Sequence, residues 1–183
     1  MKDKSFSWEE FRKVIDKLES EGLRYFVFGG FAYDFMKGEI GEHEDLDISF
    51  FIEDQEKARQ VFRDLGYIPY KHGNKDDYRK GKCKVDVIFI EDGGDYYIIG
   101  GNVCLDQISK EAFEKNLRAE IGMFSFSIFP YEWFSLYFDK HYIPEKREKT
   151  NEAISKILPL CKNLKVLKQV PVERPENMEL IEV

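Results

Sequence analysis

The sequence predicts an α+β fold, a mixed sheet with helices covering part of it. Two observations carry this. Residues 7–66 read in the order helix, strand, helix, strand, helix, and residues 67–105 then break into short apolar runs separated by His72-Gly73-Asn74, Gly81 and Asp92-Gly93-Gly94, the texture of hairpins. A third observation bounds the size. With 183 residues, 43% of them apolar and 15% aromatic, the chain can bury one real core, with room for a small helical extension.

The elements follow in order. Ser7 with Glu10 three places later is a capping box, and Phe11, Val14, Ile15 and Leu18 behind it recur at helical spacing, so a helix starts there and stops at Gly22. The run 24–28, RYFVF, is a short buried strand ahead of Gly29-Gly30. A short helix over 31–37 is closed by Gly38. Residues 45–52 are rich in strand formers. Residues 53–65 place Ala58, Val61, Phe62 and Leu65 at helical spacing and end at Gly66.

YIPY, DYRKG, CKVDVIFI and DYYIIGG are neighbouring hairpin strands. A helix is expected over 109–117 and a strand over 123–129. Pro130 opens an aromatic helix, YEWFSLYFDKHY, and a further helix is expected over 145–160. QVPVERPENMELIEV has two prolines and no period, which reads as an extended arm. The expected organisation is a core over 1–129, a helical extension over 130–162 packed on it, and a tail over 163–183.

The net charge of −7 argues against binding duplex nucleic acid, which needs clustered Lys and Arg. Cys83, Cys104 and Cys161 show no CxxC pair and no zinc spacing, so they read as reduced thiols of a cytoplasmic protein. No run approaches 18 apolar residues, so no membrane span is expected.

The chemistry concentrates in residues 28–50, FGGFAYDFMKGEIGEHEDLDISF. Gly29-Gly30 leaves a strand and enters a helix, where free N–H groups and the helix dipole make an anion site. Asp45 and Asp47 are two apart on a strand, so they share a face, and two close carboxylates repel unless a cation sits between them. Mg²⁺ suits such a site, since it takes a few carboxylates, waters and substrate phosphates. Asp86 is an acid inside the apolar run KVDVIFI, a costly place without a partner. On an adjacent strand it would complete a site for two metals.

These residues resemble the nucleotidyltransferase fold, the DNA polymerase β-like superfamily, and within it the aminoglycoside and lincosamide nucleotidyltransferases. The family pattern Gly-Gly-x-Ala-x-Asp, a glycine, then His-x-Asp-hydrophobic-Asp stands here as Gly29, Gly30, Ala32, Asp34, Gly38, His43, Asp45 and Asp47. The resemblance implies that Gly29 and Gly30 face a triphosphate and that Asp45 and Asp47 bind Mg²⁺. It implies that Asp86 is the third acid, as metal ligand or general base, and that Lys140 on the later helix reaches phosphate. It departs at Gly41, where the family often has a basic residue.

Other positions have plainer readings. Asp34 either faces solvent or holds its loop by hydrogen bonds, and His43 is a structural hydrogen-bonder. Glu44 points away from Asp45. Lys80, Lys82 and Lys84 form a solvated strand face or line a phosphate path. The aromatic stripe at 131–138 is core or a homodimer surface. The expected function is therefore Mg²⁺-dependent transfer of a nucleoside monophosphate from ATP or another NTP to a hydroxyl acceptor. The alternative is a nucleotidyltransferase-like toxin–antitoxin or regulatory partner.

Overall fold

The structure is a computed structural model, and it describes residues 6–39, 41–72, 75–100, 104–114, 117–131, 133–134, 155, 166–171 and 179–180. Helix α1 spans Trp8–Ser20, and its N-cap Ser7 accepts a hydrogen bond from the Glu10 N–H at 3.1 Å. The predicted box is half formed. The Glu10 side chain instead accepts from Tyr67 at 2.9 Å and from Lys80 at 2.8 Å, tying α1 to the sheet. Phe11, Val14, Ile15 and Leu18 are buried as the spacing requires.

Strand β1 (Tyr25–Phe28) leads directly into α2 (Gly29–Lys37), which starts two residues before its expected place, with Gly29 at a left-handed φ of 66°. Gly38, with φ of 79°, closes it. Then come β2 (Leu46–Phe51), a short 3₁₀ turn, and α3 (Gln55–Asp64). Four strands follow as read: β3 (Ile68–His72), β4 (Lys75–Lys80), β5 (Cys83–Asp92) and β6 (Tyr96–Gly100).

Two further strands were not anticipated. In β7 (Cys104–Ser109) the apolar Leu105 and Ile108 are three apart, a helical spacing, and pairing with β6 overrides it. Of the helix expected over 109–117, the described residues form α4 (Lys110–Glu114), with Ser109 in β7 and Leu117 outside it. The next segment, β8 (Arg118–Ile121), has few strong strand formers and is fixed by its pairing with β9 (Phe124–Ser127).

Strand β5 is the axis of the nine-stranded sheet among the described residues. On one side it pairs antiparallel with β4. On the other it pairs parallel with β2 and, at its far end, antiparallel with β6. Beyond β2 lies β1, antiparallel. Two pieces of the tail are sheet. β10 (Val166–Pro171) covers the β7 edge and β11 (Glu179–Leu180) the β3 edge. Pro171 ends its strand on an edge, where a missing N–H is tolerated. The helix expected over 145–160 lies outside the described residues, except residue 155.

One face of the sheet packs on α3, where Phe62 meets Phe50 and Tyr78 at ring distances of 6.2 and 4.3 Å. The other face is covered in part by α4 and the segment after β9, with Phe113, Phe129 and Trp133 against Phe26 and Phe28. Trp133 and Phe134 are fully buried, which assigns this part of the aromatic stripe to the core. The same face holds the acids.

Candidate active site

Register brings the acids together. Parallel pairing of β2 with β5 sets Asp47 opposite Asp86, and antiparallel pairing of β4 with β5 sets Asp77 opposite Asp86. Directly paired residues point to the same side of a sheet, so Asp47, Asp86 and Asp77 form a row across three strands. Asp45 precedes β2 and turns toward the same place. Ligand oxygens of Asp45, Asp47 and Asp86 all lie within 4.8 Å of one another.

The glycine turn is fitted to this row. Gly29 has φ of 66°, and a Cβ there would fall 2.7 Å from Asp47 Cγ. A Cβ on Gly30 would fall 2.8 Å from His43 Cε1. Both glycines are thus required by the side chains that press on them, whatever else their N–H groups meet. No side chain caps the start of α2, and its first turn holds no acid. Its positive end lies beside Asp47.

The electrostatics are those of a crowded anionic centre. Burial first, then Asp45 and Asp86, pushes the Asp47 carboxyl well above its ordinary value. Asp77 is raised by burial and by Asp86. Asp86 behaves oppositely. Burial pushes it up, but Lys75 and Lys84 together outweigh burial and hold it below the ordinary carboxylate range. Lys84 Nζ lies 2.6 Å from Asp86 Oδ1 and 3.8 Å from Asp45 Oδ2. Lys75 Nζ lies 3.0 Å from Asp86 Oδ2 and 3.1 Å from Asp77 Oδ1.

Three carboxylates within reach of one point, one of them driven toward its neutral form by burial and by the other two, fit a hard divalent cation with oxygen ligands. The donor set has no imidazole and no thiolate, which suits Mg²⁺ or Mn²⁺ better than zinc.

The remaining expected residues fall in different places. His43 Nε2 donates to Asp34 Oδ2 at 2.9 Å and packs edge-on against Phe31, a structural role as read. Asp34 also pairs with Lys37, so it holds the loop rather than facing solvent. Gly41, where a basic residue was expected, has its Cβ direction filled by the Asp34 carboxylate. Lys80 is occupied by Glu10, whereas Lys84 enters the site. Lys140 lies outside the described residues. Sequence reasoning missed Lys75 and Asp77. Their only signal was Lys-Asp-Asp at the head of a strand, and it gains meaning only with the β4–β5 register.

Fold and site together point one way. The fold is nucleotidyltransferase-like, and the chain is similar to nucleotidyltransferases over part of its sequence and in its structure. Residues 10–95 match the family of aminoglycoside-2″-adenylyltransferases. The solved lincosamide antibiotic adenylyltransferase LnuA, in its lincomycin-bound form, is similar with a TM-score of 0.66 and 18% identity, over 83% of this chain and 98% of that one. The antibiotic-resistance factor ANT(2″)-Ia is similar in its solution structure, with a TM-score of 0.59 and 16% identity over 80% and 82% of the two chains. Its crystal structure with adenylyl-2″-tobramycin gives 0.56 and 18% over 82% and 87%. At these identities the likeness speaks for the fold. No curated protein matches the sequence. Among the described residues no helix is long and apolar enough to cross a membrane.

Proposed function

We propose that the protein is a divalent-metal-dependent nucleotidyltransferase. It moves a nucleoside monophosphate from an NTP, ATP first among them, to a hydroxyl of a small acceptor of aminoglycoside or lincosamide type. The observation that carries this is the cluster of Asp45, Asp47 and Asp86, with ligand oxygens within 4.8 Å, beside the uncapped start of α2. The acceptor class is supported by the family match and by the antibiotics in the two similar enzymes.

In this reading the acceptor oxygen forms a bond to the α-phosphorus while the bond from that phosphorus to the pyrophosphate oxygen breaks. The hydroxyl proton passes to a base, and pyrophosphate leaves. Asp45, Asp47 and Asp86 would hold Mg²⁺, which supplies neutralisation of the triphosphate charge and polarises the reacting phosphoryl group. The N–H groups at Gly29 and Gly30 would donate to the phosphate oxygens at the helix start. Asp86 is kept ionised by Lys75 and Lys84, ready as a ligand or as the base. The protein's share is mostly positioning and charge, as is usual for phosphoryl chemistry.

The test is incubation with Mg²⁺, each α-labelled NTP, and lincomycin or tobramycin as acceptors. The expected result is acceptor-dependent pyrophosphate release with label transferred to the antibiotic, abolished in Asp47→Ala. Equal turnover by Asp47→Ala and the parent would overturn the site assignment.

A further inference from the structure

Both oxygens of Asp86 already have a cation, and the two cations are held differently. Lys75 bridges Asp86 Oδ2 to Asp77, an acid only 1% exposed on the neighbouring strand. Its ammonium is anchored from behind the site by a carboxylate outside the ligand cluster. Lys84 bridges Asp86 Oδ1 to Asp45, and both of these are members of the cluster. The Lys84 side chain is 33% exposed, against 15% for Lys75, so it has room to swing out.

Resting on the metal-dependent reading above, we propose that Lys84 is a resident counter-cation that competes with the metal for Asp45 and Asp86. Lys75 stays in place and fixes the orientation of Asp86. Two positive charges cannot share the same carboxylate oxygens at a few ångström, because their repulsion is several kcal/mol at the effective dielectric of such a site. Loading therefore requires the Lys84 ammonium to leave its two partners. Before loading, the same ammonium offsets the repulsion among the acids. Lys84 is a positioning residue in this account and sets metal affinity.

The experiment measures Mn²⁺ binding to the full chain by electron paramagnetic resonance, together with the melting temperature with and without Mn²⁺. Lys84→Met is expected to bind Mn²⁺ about tenfold or more tightly than the parent, the change expected from removing one nearby like charge. Its metal-free form should melt lower than the metal-free parent, and Mn²⁺ should raise its melting temperature by more. Lys84→Arg should restore parent-like affinity. Lys110→Met, which removes a charge paired with the distant Asp92, should leave Mn²⁺ affinity unchanged.

Parent-like affinity in Lys84→Met, with Mn²⁺ still lost in Asp47→Asn, overturns the competition and leaves the metal site standing. Equal tightening in Lys84→Met and Lys110→Met also overturns it, since net charge alone would then explain the change. No Mn²⁺ binding by the folded parent overturns both the competition and the reading it rests on.

Discussion

Asp76 and Asp77 are consecutive on β4, each is 1% exposed, and they face opposite sides of the sheet. Asp76 looks toward α3. Arg59 donates to both of its oxygens, at 2.7 and 3.1 Å, and Tyr78 donates at 3.2 Å. The planar guanidinium matches a carboxylate two bonds at a time, so this acid has fixed partners and no vacancy for a ligand. The carboxylate in turn holds the Arg59 guanidinium above its ordinary pKa. Asp77 looks toward Asp86, shares a lysine with it, and is pushed up by burial and by that neighbour. One acid is closed by a rigid fork and stabilises the fold. The other borders the cluster of Asp45, Asp47 and Asp86, which point-charge lysines neutralise only in part. Burial does not distinguish a structural acid from a site acid; the geometry of its cation does.

The largest effect expected on this contrast is catalytic. Asp47→Asn removes a central ligand and should lower pyrophosphate release by on the order of 10³-fold or more, with the folded state retained, as followed by turnover and circular dichroism. On the other face, Arg59→Met leaves Asp76 buried without its cation. Urea denaturation should show a loss of about 3–5 kcal/mol, with Mn²⁺ affinity unchanged. If Arg59→Met instead altered metal affinity, the two faces would not be independent.

Gly29→Ala joins the two sides of the argument. It places a Cβ against Asp47 at a left-handed φ, and should cost about 1–3 kcal/mol by denaturation and also lower turnover. The smallest effect concerns Glu10, which lies away from the site. Burial pushes its pKa up, but hydrogen bonds from Lys80 and Tyr67 together prevail and leave it below its ordinary 4.5. A depressed carboxyl stabilises the fold above its unfolded value and loses that contribution as pH falls through the folded value. Below pH 4.5, therefore, the parent should lose stability that Glu10→Gln never had. The difference is less than about 1 kcal/mol for so modest a pair, read from melting temperature against pH.

Much of this was readable before the structure. The Ser7 cap and the glycine-closed helices each depend on contacts within a few residues, and they appear where the sequence puts them, while α2 begins two residues early, at Gly29. The Asp45–Asp47 spacing made a repelling pair, and the apolar flanks of Asp86 marked it as needing a partner. That the three converge required the parallel β2–β5 register, which has no local signal. The same holds for Lys75, Asp77 and the second role of Gly29, all of which face residues far away in the chain. Lys84 looked like one of a row of solvated lysines. The Gly81-Lys82 turn puts Lys80 on β4 and Lys84 on β5, and only the pairing of those strands sets the two on opposite faces. β7 was hidden by the helical spacing of Leu105 and Ile108, and the tail strands by their prolines.

The most direct measurement is an anomalous difference map from crystals soaked with Mn²⁺ and a non-hydrolysable ATP analogue. The account predicts a manganese peak bounded by Asp45, Asp47 and Asp86, with the triphosphate at the start of α2 and Lys84 withdrawn from Asp86. A nucleotide bound elsewhere, with no peak among the three carboxylates and Lys84 still bridging Asp86 to Asp45, would contradict it.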